Sequence, residues 1–332
     1  MVTRAQPGAG ARPLKSPHGL VSIVSAAAQL CVRLRRERSV SDTLPHIDLD
    51  TRRQFYAEEL RAAANLQSEA LVKAFATVPR EHFLGPGPWE VYFPGFNWYW
   101  TTDADPKRLY HNVLVAIDAK PGINNGHPAL LALLIDALEL QEGDHIVHLG
   151  CGTGYYTAVM AEVVGHKGRV TAIEIDFELA ERARSNLSHL PQVEVVQGDG
   201  GEYNPGPSDA ILVNAGATHP QSIWLDSLRP GGRLILPLTA SGDKDGTKGG
   251  VFKLRRRQVS IAASFISRVA IFACQGVRDP QLNEPLKRAF DRGNEKSVQS
   301  LRKDTHDPND TCWFHTDNFC LSTLAVPSEV GN

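Results

Sequence analysis

The residues most able to do chemistry lie in His145-Ile-Val-His-Leu-Gly-Cys-Gly-Thr-Gly-Tyr-Tyr-Thr157. A short apolar strand pattern ends at Leu149, glycines stand at 150, 152 and 154, and a helical pattern begins at Tyr155. Glycine there lets the backbone turn sharply and approach a ligand with no Cβ in the way. The free N–H groups of the new helix favour a negative group at its start. Two acids follow at related places. Glu174 ends the next strand pattern, and a carboxylate there can accept from both hydroxyls of a ribose. Asp199, within Gly198-Asp199-Gly200, ends the third strand pattern, where a carboxylate can accept from an adenine amino group. A glycine loop is also consistent with a tight turn, and each acid with a helix cap or a surface charge. The three together, each at a strand's carboxyl end, point to a nucleoside-bearing cofactor. A dinucleotide fingerprint needs its third glycine at position 155, where the chain has Tyr155, so a nicotinamide oxidoreductase fits badly.

The elements that must hold these corners alternate in the sequence. Strands are expected at His145–Leu149, Arg169–Ile175, Val193–Gln197, Ala210–Asn214 and Arg233–Pro237. Helices are expected at Tyr155–Val164, Glu178–His189 and Gln221–Leu228, with another over Leu130–Leu140. Short apolar strands alternating with helices imply a doubly wound, mostly parallel sheet covered on both faces. Upstream, Thr51–Thr77 carries apolar residues at helical spacing, predicting two helices broken near Leu66–Ser68 and ended by Val78-Pro79. Downstream, Val251–Arg257 and Val259–Phe272 predict long antiparallel strands joined at Gln258. Pro285–Arg302 predicts an amphipathic helix, and Cys312 to Leu321 a strand or loop packing back on the body. Gly85–Tyr110 holds three of the five tryptophans, and reads either as a loop packed on the core or as a wall of a substrate pocket.

The Gly-x-Gly-x-Gly spacing resembles the first motif of S-adenosylmethionine-dependent methyltransferases. The likeness extends to Val78-Pro-Arg-Glu-His-Phe83, Gly198-Asp-Gly200 and Leu228-Arg-Pro-Gly-Gly-Arg-Leu-Ile-Leu-Pro237. In that order these motifs resemble the protein-L-isoaspartate O-methyltransferase family, over roughly Asp48 to Phe272. The resemblance implies a class I methyltransferase fold and S-adenosyl-L-methionine as cofactor. It also implies a protein or peptide acceptor with a free carboxylate, and a role in repair of isoaspartyl sites. On this reading Gly150, Cys151, Gly152, Thr153, Gly154, Glu174, Asp199 and Gly200 bind the cofactor. The family's acceptor-side element reads Thr-Ile-Ser, then a small or polar residue, then Pro. Here the stretch is Gly122-Ile-Asn-Asn-Gly-His-Pro128: Ile123 matches, Asn124 replaces the serine, and the proline is displaced to Pro128. An amide donates a hydrogen bond as a hydroxyl does, so Asn124 is the expected catalytic residue, with Ile123, His127 and Asn214 on the acceptor side. Asn125-Gly126 also reads as a plain turn dipeptide, His127 as a cap for the Pro128–Leu140 helix, and Asn214 as a partner for backbone groups alone. The departure at 124 keeps two alternatives open: a methyltransferase for another carboxyl acceptor, in a modified peptide or small molecule, and a non-catalytic cofactor-binding protein.

Other clusters carry less. Cys312, His315 and Cys320 have loose metal-like spacing but lack an evident fourth ligand, so no metal is expected. Cys151 sits near a helix N-terminus, which can lower a thiol pKa, but its expected role there is a small packing residue. The basic residues Lys253, Arg255, Arg256 and Arg257 read as solvated edge charges. With 35 Lys+Arg against 37 Asp+Glu, no whole-chain field attracts nucleic acid. No apolar run approaches the roughly 18 residues of a spanning helix, so no membrane partner is expected. Five scattered cysteines argue against a disulfide scaffold and for the cytoplasm. Residues 1–36 hold six Lys or Arg and no acid, so 1–47 is expected to be a disordered basic leader, with some bias of a transit peptide. The remaining organisation is expected as a helical and aromatic-loop region over 48–128, the cofactor-binding domain over 129–275, and a helix and tail over 276–332.

Overall fold

In a computed structural model that describes residues 48–93, 96–117, 123–241 and 247–326, the chain opens with two capped helices. The expected leader and Gly122 lie outside the described residues. Helix α1 (Leu49–Ala64) starts on Asp48, whose carboxylate accepts the Thr51 N–H at 2.7 Å, and ends at Asn65 in the left-handed region. Helix α2 (Glu69–Thr77) starts on Ser68, which accepts the Leu71 N–H at 3.2 Å. It stops at Val78 because Pro79 disfavours helical geometry in the residue before it. The break and the stop fall where the sequence predicts them.

A three-stranded antiparallel sheet follows: β1 (Glu90–Tyr92) lies between β2 (Tyr99–Trp100) and β3 (Leu114–Val115). Trp89 is buried there with Leu84, Val91, Leu109, Val113 and Val115, whereas Trp98, Tyr99 and Trp100 are exposed. The aromatic stretch is thus half core and half surface.

The main sheet has ten strands. Its parallel half runs β6 (Val193–Gln197), β5 (Arg169–Glu174), β4 (His145–Leu149), β7 (Ser208–Val213), β8 (Leu228–Ser241). The helices between these strands are α4 (Tyr155–Val164), α5 (Phe177–Asn186) and α6 (Ser222–Ser227), and α3 (Pro128–Asp136) precedes them. This is the expected doubly wound arrangement, and the strand order reverses between β4 and β7.

Strand periodicity explains why both faces are covered. Ile146, Val170, Ala210 and Leu212 enter one core with residues of α1 to α5. Val147, Ile173, Ile211 and Val213 enter the other with Trp224 and Leu225 of α6. Successive side chains point to opposite faces, so a strand apolar at nearly every position needs two covers.

Beyond β8 the sheet continues antiparallel through β9 (Thr247–Arg256), β10 (Ile261–Ile271), β11 (Ser300–Arg302), β13 (Cys320–Ser322) and β12 (Cys312–His315). Two antiparallel strands are expected from the sequence, and the chain builds five. The helix expected at Pro285–Arg302 is α7 (Pro280–Arg292). Asp279 caps it earlier by accepting the Gln281 N–H, and Gly293 and Asn294, both at positive φ, stop it. That frees Ser300–Arg302 to pair with β10 and β13.

His148, in the middle of β4, is fully buried, with Nδ1 2.8 Å from the Thr157 hydroxyl of α4. Burial pushes its pKa down to about 3. An unfolded His148 takes a proton as pH falls below about 6.5, whereas the folded chain refuses it until about 3. The unfolded state therefore binds more protons across that window, and stability falls as pH falls through it, by about 1.4 kcal/mol per pH unit. The melting temperature is expected to be lower at pH 5 than at pH 7, and the difference to shrink in His148→Gln. Burial lowers the pKa of His127, His145 and His219 as well, and these add to the slope that remains in the variant. Thermal melts at both pH values check this, and equal slopes in the two proteins would refute it.

Candidate active site

Above the carboxyl ends of β4, β5 and β7 lies a cavity of about 570 Å³. Gly150, Cys151, Gly152 and Thr153 line it, together with Glu174, Gly198 and Gly200. The loop after β4 takes positive φ at all three glycines: 74° at Gly150, 56° at Gly152 and 96° at Gly154. Side chains rarely adopt that region. At Gly152 a Cβ would meet only Ile117 Cδ1, at 4.0 Å, so the loop leaves room on that side. Gly154 does not line the cavity. It stands at the N-terminus of α4, where a Cβ would lie 2.7 Å from Leu187, so its glycine serves packing and helix entry.

Glu174 holds the loop from the next strand. Its Oε2 accepts the Gly152 N–H at 2.8 Å and its Oε1 accepts the Asp176 N–H at 3.1 Å. Asp199 is a different case from the expectation. It is absent from the lining; its carboxylate accepts the Gly201 N–H at 2.7 Å and packs against Gly276, where a Cβ would come within 1.9 Å of it. The segment after β10 fills that side, and Ala270 to Gln275 line the cavity. Cys151 is buried, as a packing residue would be, and burial, with the Glu174 carboxylate nearby, pushes its thiol pKa up rather than down.

The acceptor-side residues line the same cavity: Ile123, Asn124, Asn125, His127 and Asn214. Residues 123–125 fold back on β3, with the Ile117 N–H donating to Ile123 O and the Asn125 N–H donating to Val115 O. Asn124 Oδ1 accepts the Gly126 N–H at 2.9 Å, which fixes the amide and makes Nδ2 its donor end. Asn214 lines the cavity, and its Nδ2 donates to Gly150 O at 3.2 Å. His127 occupies the N-cap position of α3, yet its side chain makes no cap bond. Its Nε2 is buried without a partner among the described residues, and burial lowers its pKa. The cap role of the ring is therefore not made.

Sequence reasoning passed over two residues here. Asn125 is more than half of a turn: it is buried, its Oδ1 accepts from Arg80 Nη2 and the Val115 N–H, and its Nδ2 has no partner among the described residues. Arg80 is fully buried, and besides Asn125 it donates to the carbonyls of Leu109, His111 and Val113. The Val-Pro-Arg element marked this arginine, but only folding brings it to the 109–113 segment.

Three of the four basic-cluster residues are engaged internally, while Arg257 is exposed. Lys253 and Arg255 both pair with Glu139, and Arg256 donates to the carbonyls of Asp226 and Leu228. No described helix is long and apolar enough to cross a membrane.

A family model for protein-L-isoaspartate(D-aspartate) O-methyltransferase matches residues 99–260. Protein-L-isoaspartate O-methyltransferases 2 and 1 of Archaeoglobus fulgidus are each 34% identical to this chain. The matched regions span 58% of this chain and 80% and 82% of theirs, respectively. A solved protein-L-isoaspartate O-methyltransferase superposes with a TM-score of 0.56 at 25% identity, over 72% of this chain and 69% of that one.

Proposed function

This chain belongs to the protein-L-isoaspartate O-methyltransferase family, and from that membership we propose that it methylates the side-chain carboxylate of isoaspartyl residues in proteins, as a repair step. The observation carrying the proposal is that one cavity is lined both by the Gly150–Thr153 loop with Glu174 and by Asn124, Asn125 and His127. The first group suits S-adenosyl-L-methionine: open space beside Gly152 for a close ligand, and a buried carboxylate with acceptor capacity beyond its two backbone bonds. When bound, that cofactor supplies an electrophilic methyl group on a sulfonium. The second group suits a carboxylate. Amide and imidazole N–H groups donate to its oxygens and fix the direction in which one oxygen points. A carboxylate with a pKa near 4 is already ionised at neutral pH, so the chain needs no general base. Its contribution is to orient the oxygen and to exclude water that would compete for the methyl group.

Incubating the protein with S-adenosyl-L-methionine and an isoaspartyl peptide should add one methyl group, read by mass spectrometry, while the aspartyl twin stays unmodified. An unmodified isoaspartyl peptide would sink the reading. Asn124→Ala is expected to lower kcat/KM on the order of tenfold to a hundredfold, the value of a hydrogen bond to a charged group, with cofactor affinity retained. A second reading, a carboxyl acceptor in another modified peptide, is favoured by the paired Asn124 and Asn125 where the family has serine. Turnover of only the isoaspartyl peptide defeats it.

Lys253, Arg255 and Arg256 are engaged within the chain, which supports an acceptor other than nucleic acid. Free thiols at Cys151, Cys274, Cys312 and Cys320 support a reducing compartment, and the cytoplasm is the location we propose.

A further inference from the structure

We propose that His306, Cys312, His315 and Cys320 form a structural zinc site on the outer edge of the main sheet. One candidate ligand atom from each lies within 4.8 Å of all the others. His306 Nε2 is 3.5 Å from Cys312 Sγ, and the His306 and His315 rings have centroids 4.8 Å apart. A tetrahedral zinc with ligands at about 2.0–2.3 Å spaces those atoms roughly 3.3–3.8 Å apart, so the four side chains need only small inward shifts.

The backbone is shaped to allow this. Cys312 and His315 are three apart on β12, and regular alternation would send them to opposite faces of the strand. A bulge between Cys312 and Phe314 resets the alternation. Beyond it His315 stands directly opposite Cys320 of β13, while Trp313 and Phe314 remain buried. His306, in the loop after β11, is the fourth ligand that the sequence spacing did not reveal.

The surroundings match a metal site also. His306 Nδ1 is 2.9 Å from Asp304 O; with the proton there, the Nε2 lone pair faces Cys312. The Asn309 N–H donates to Cys312 Sγ at 3.5 Å. His315 Nδ1 is buried with no partner among the described residues. Two thiolates balance the charge of a divalent ion, and two sulfur with two imidazole ligands select zinc over magnesium or calcium. The site would tie the irregular 303–311 loop to the hairpin that ends the sheet, outside the span matched by the family model.

The test uses the untagged full chain, produced with zinc and purified without chelator. Elemental analysis should find about one zinc per chain, and Cys312→Ser with Cys320→Ser should lose it. Replacement by cobalt should give the visible bands of a tetrahedral ion and a sulfur charge-transfer band. A zinc-selective chelator should lower the melting temperature, and zinc but not magnesium should restore it. A reduced wild-type chain that holds no zinc after incubation with excess zinc chloride, or recovery of Cys312 and Cys320 as a mutual disulfide from reducing cells, overturns the proposal. The wild-type stoichiometry and cobalt spectrum decide the matter even where the serine variants fail to fold.

Discussion

Glu174→Gln is expected to weaken binding of S-adenosyl-L-methionine about tenfold to a hundredfold, with little change in overall stability. The carboxylate is 7% exposed and already accepts the Gly152 and Asp176 N–H groups through its two oxygens. It has about four acceptor sites, so a cofactor diol finds two more without displacing the loop. Glutamine turns one oxygen into a donor. That donor faces either Gly152 or Asp176, so the variant both weakens the new bonds and disturbs the glycine loop. Losing a hydrogen bond to a charged group costs roughly 1.5–3 kcal/mol, which is the affinity range stated. Calorimetric titration of the two proteins measures it. Equal dissociation constants would remove Glu174 from the cofactor site.

Arg80→Met should have the largest effect on stability. The guanidinium is fully buried and donates to Leu109 O at 2.6 Å, Val113 O at 2.7 Å, and His111 O and Asn125 Oδ1 at 3.1 Å, while lying 5.8 Å from the Tyr56 ring centre. Methionine keeps much of the stem's packing but supplies no donor, leaving four acceptors poorer, three of them in buried bonds. Unpairing buried neutral acceptors costs about 1–3 kcal/mol each before the segment relaxes, so a net loss of about 3–5 kcal/mol is expected. In a chain of this size that is a fall in melting temperature on the order of 10 °C. Arg80 donates to Asn125 Oδ1, so on the proposed function its effect on the reaction is expected to come through positioning that residue. The variant should raise KM for the isoaspartyl peptide more than it changes the dissociation constant of the cofactor. A variant with an unchanged melting temperature would show that the 109–113 segment holds itself.

The parallel half of the fold was legible because its signals are local. Glycines at 150, 152 and 154 mark a turn, Glu174 the end of β5, and apolar runs of strand length the strands, each within a few residues. What escaped depends on distant partners. Asp199 reads as a ligand by its place after β6, yet Gly276, more than seventy residues later, lets the chain pack where its carboxylate turns. His306 looks like a loop residue until a bulge in β12 swings Cys312 and His315 to one side. Asn125 reads as a turn because Asn-Gly usually is one, and only the arrival of Arg80 gives its amide a fixed direction. The bounds of α7 were misplaced for a simpler reason: amphipathic spacing runs on past Gly293, but the backbone does not.

The stretch from Ala270 to Gln275 has a further meaning. The span matched by the family model ends at residue 260, but the cavity takes part of its wall from beyond that point. The later part of the chain is therefore no detachable appendage. Trimming the protein at residue 260 would remove Ala270 to Gln275 and open the cavity to solvent on that side.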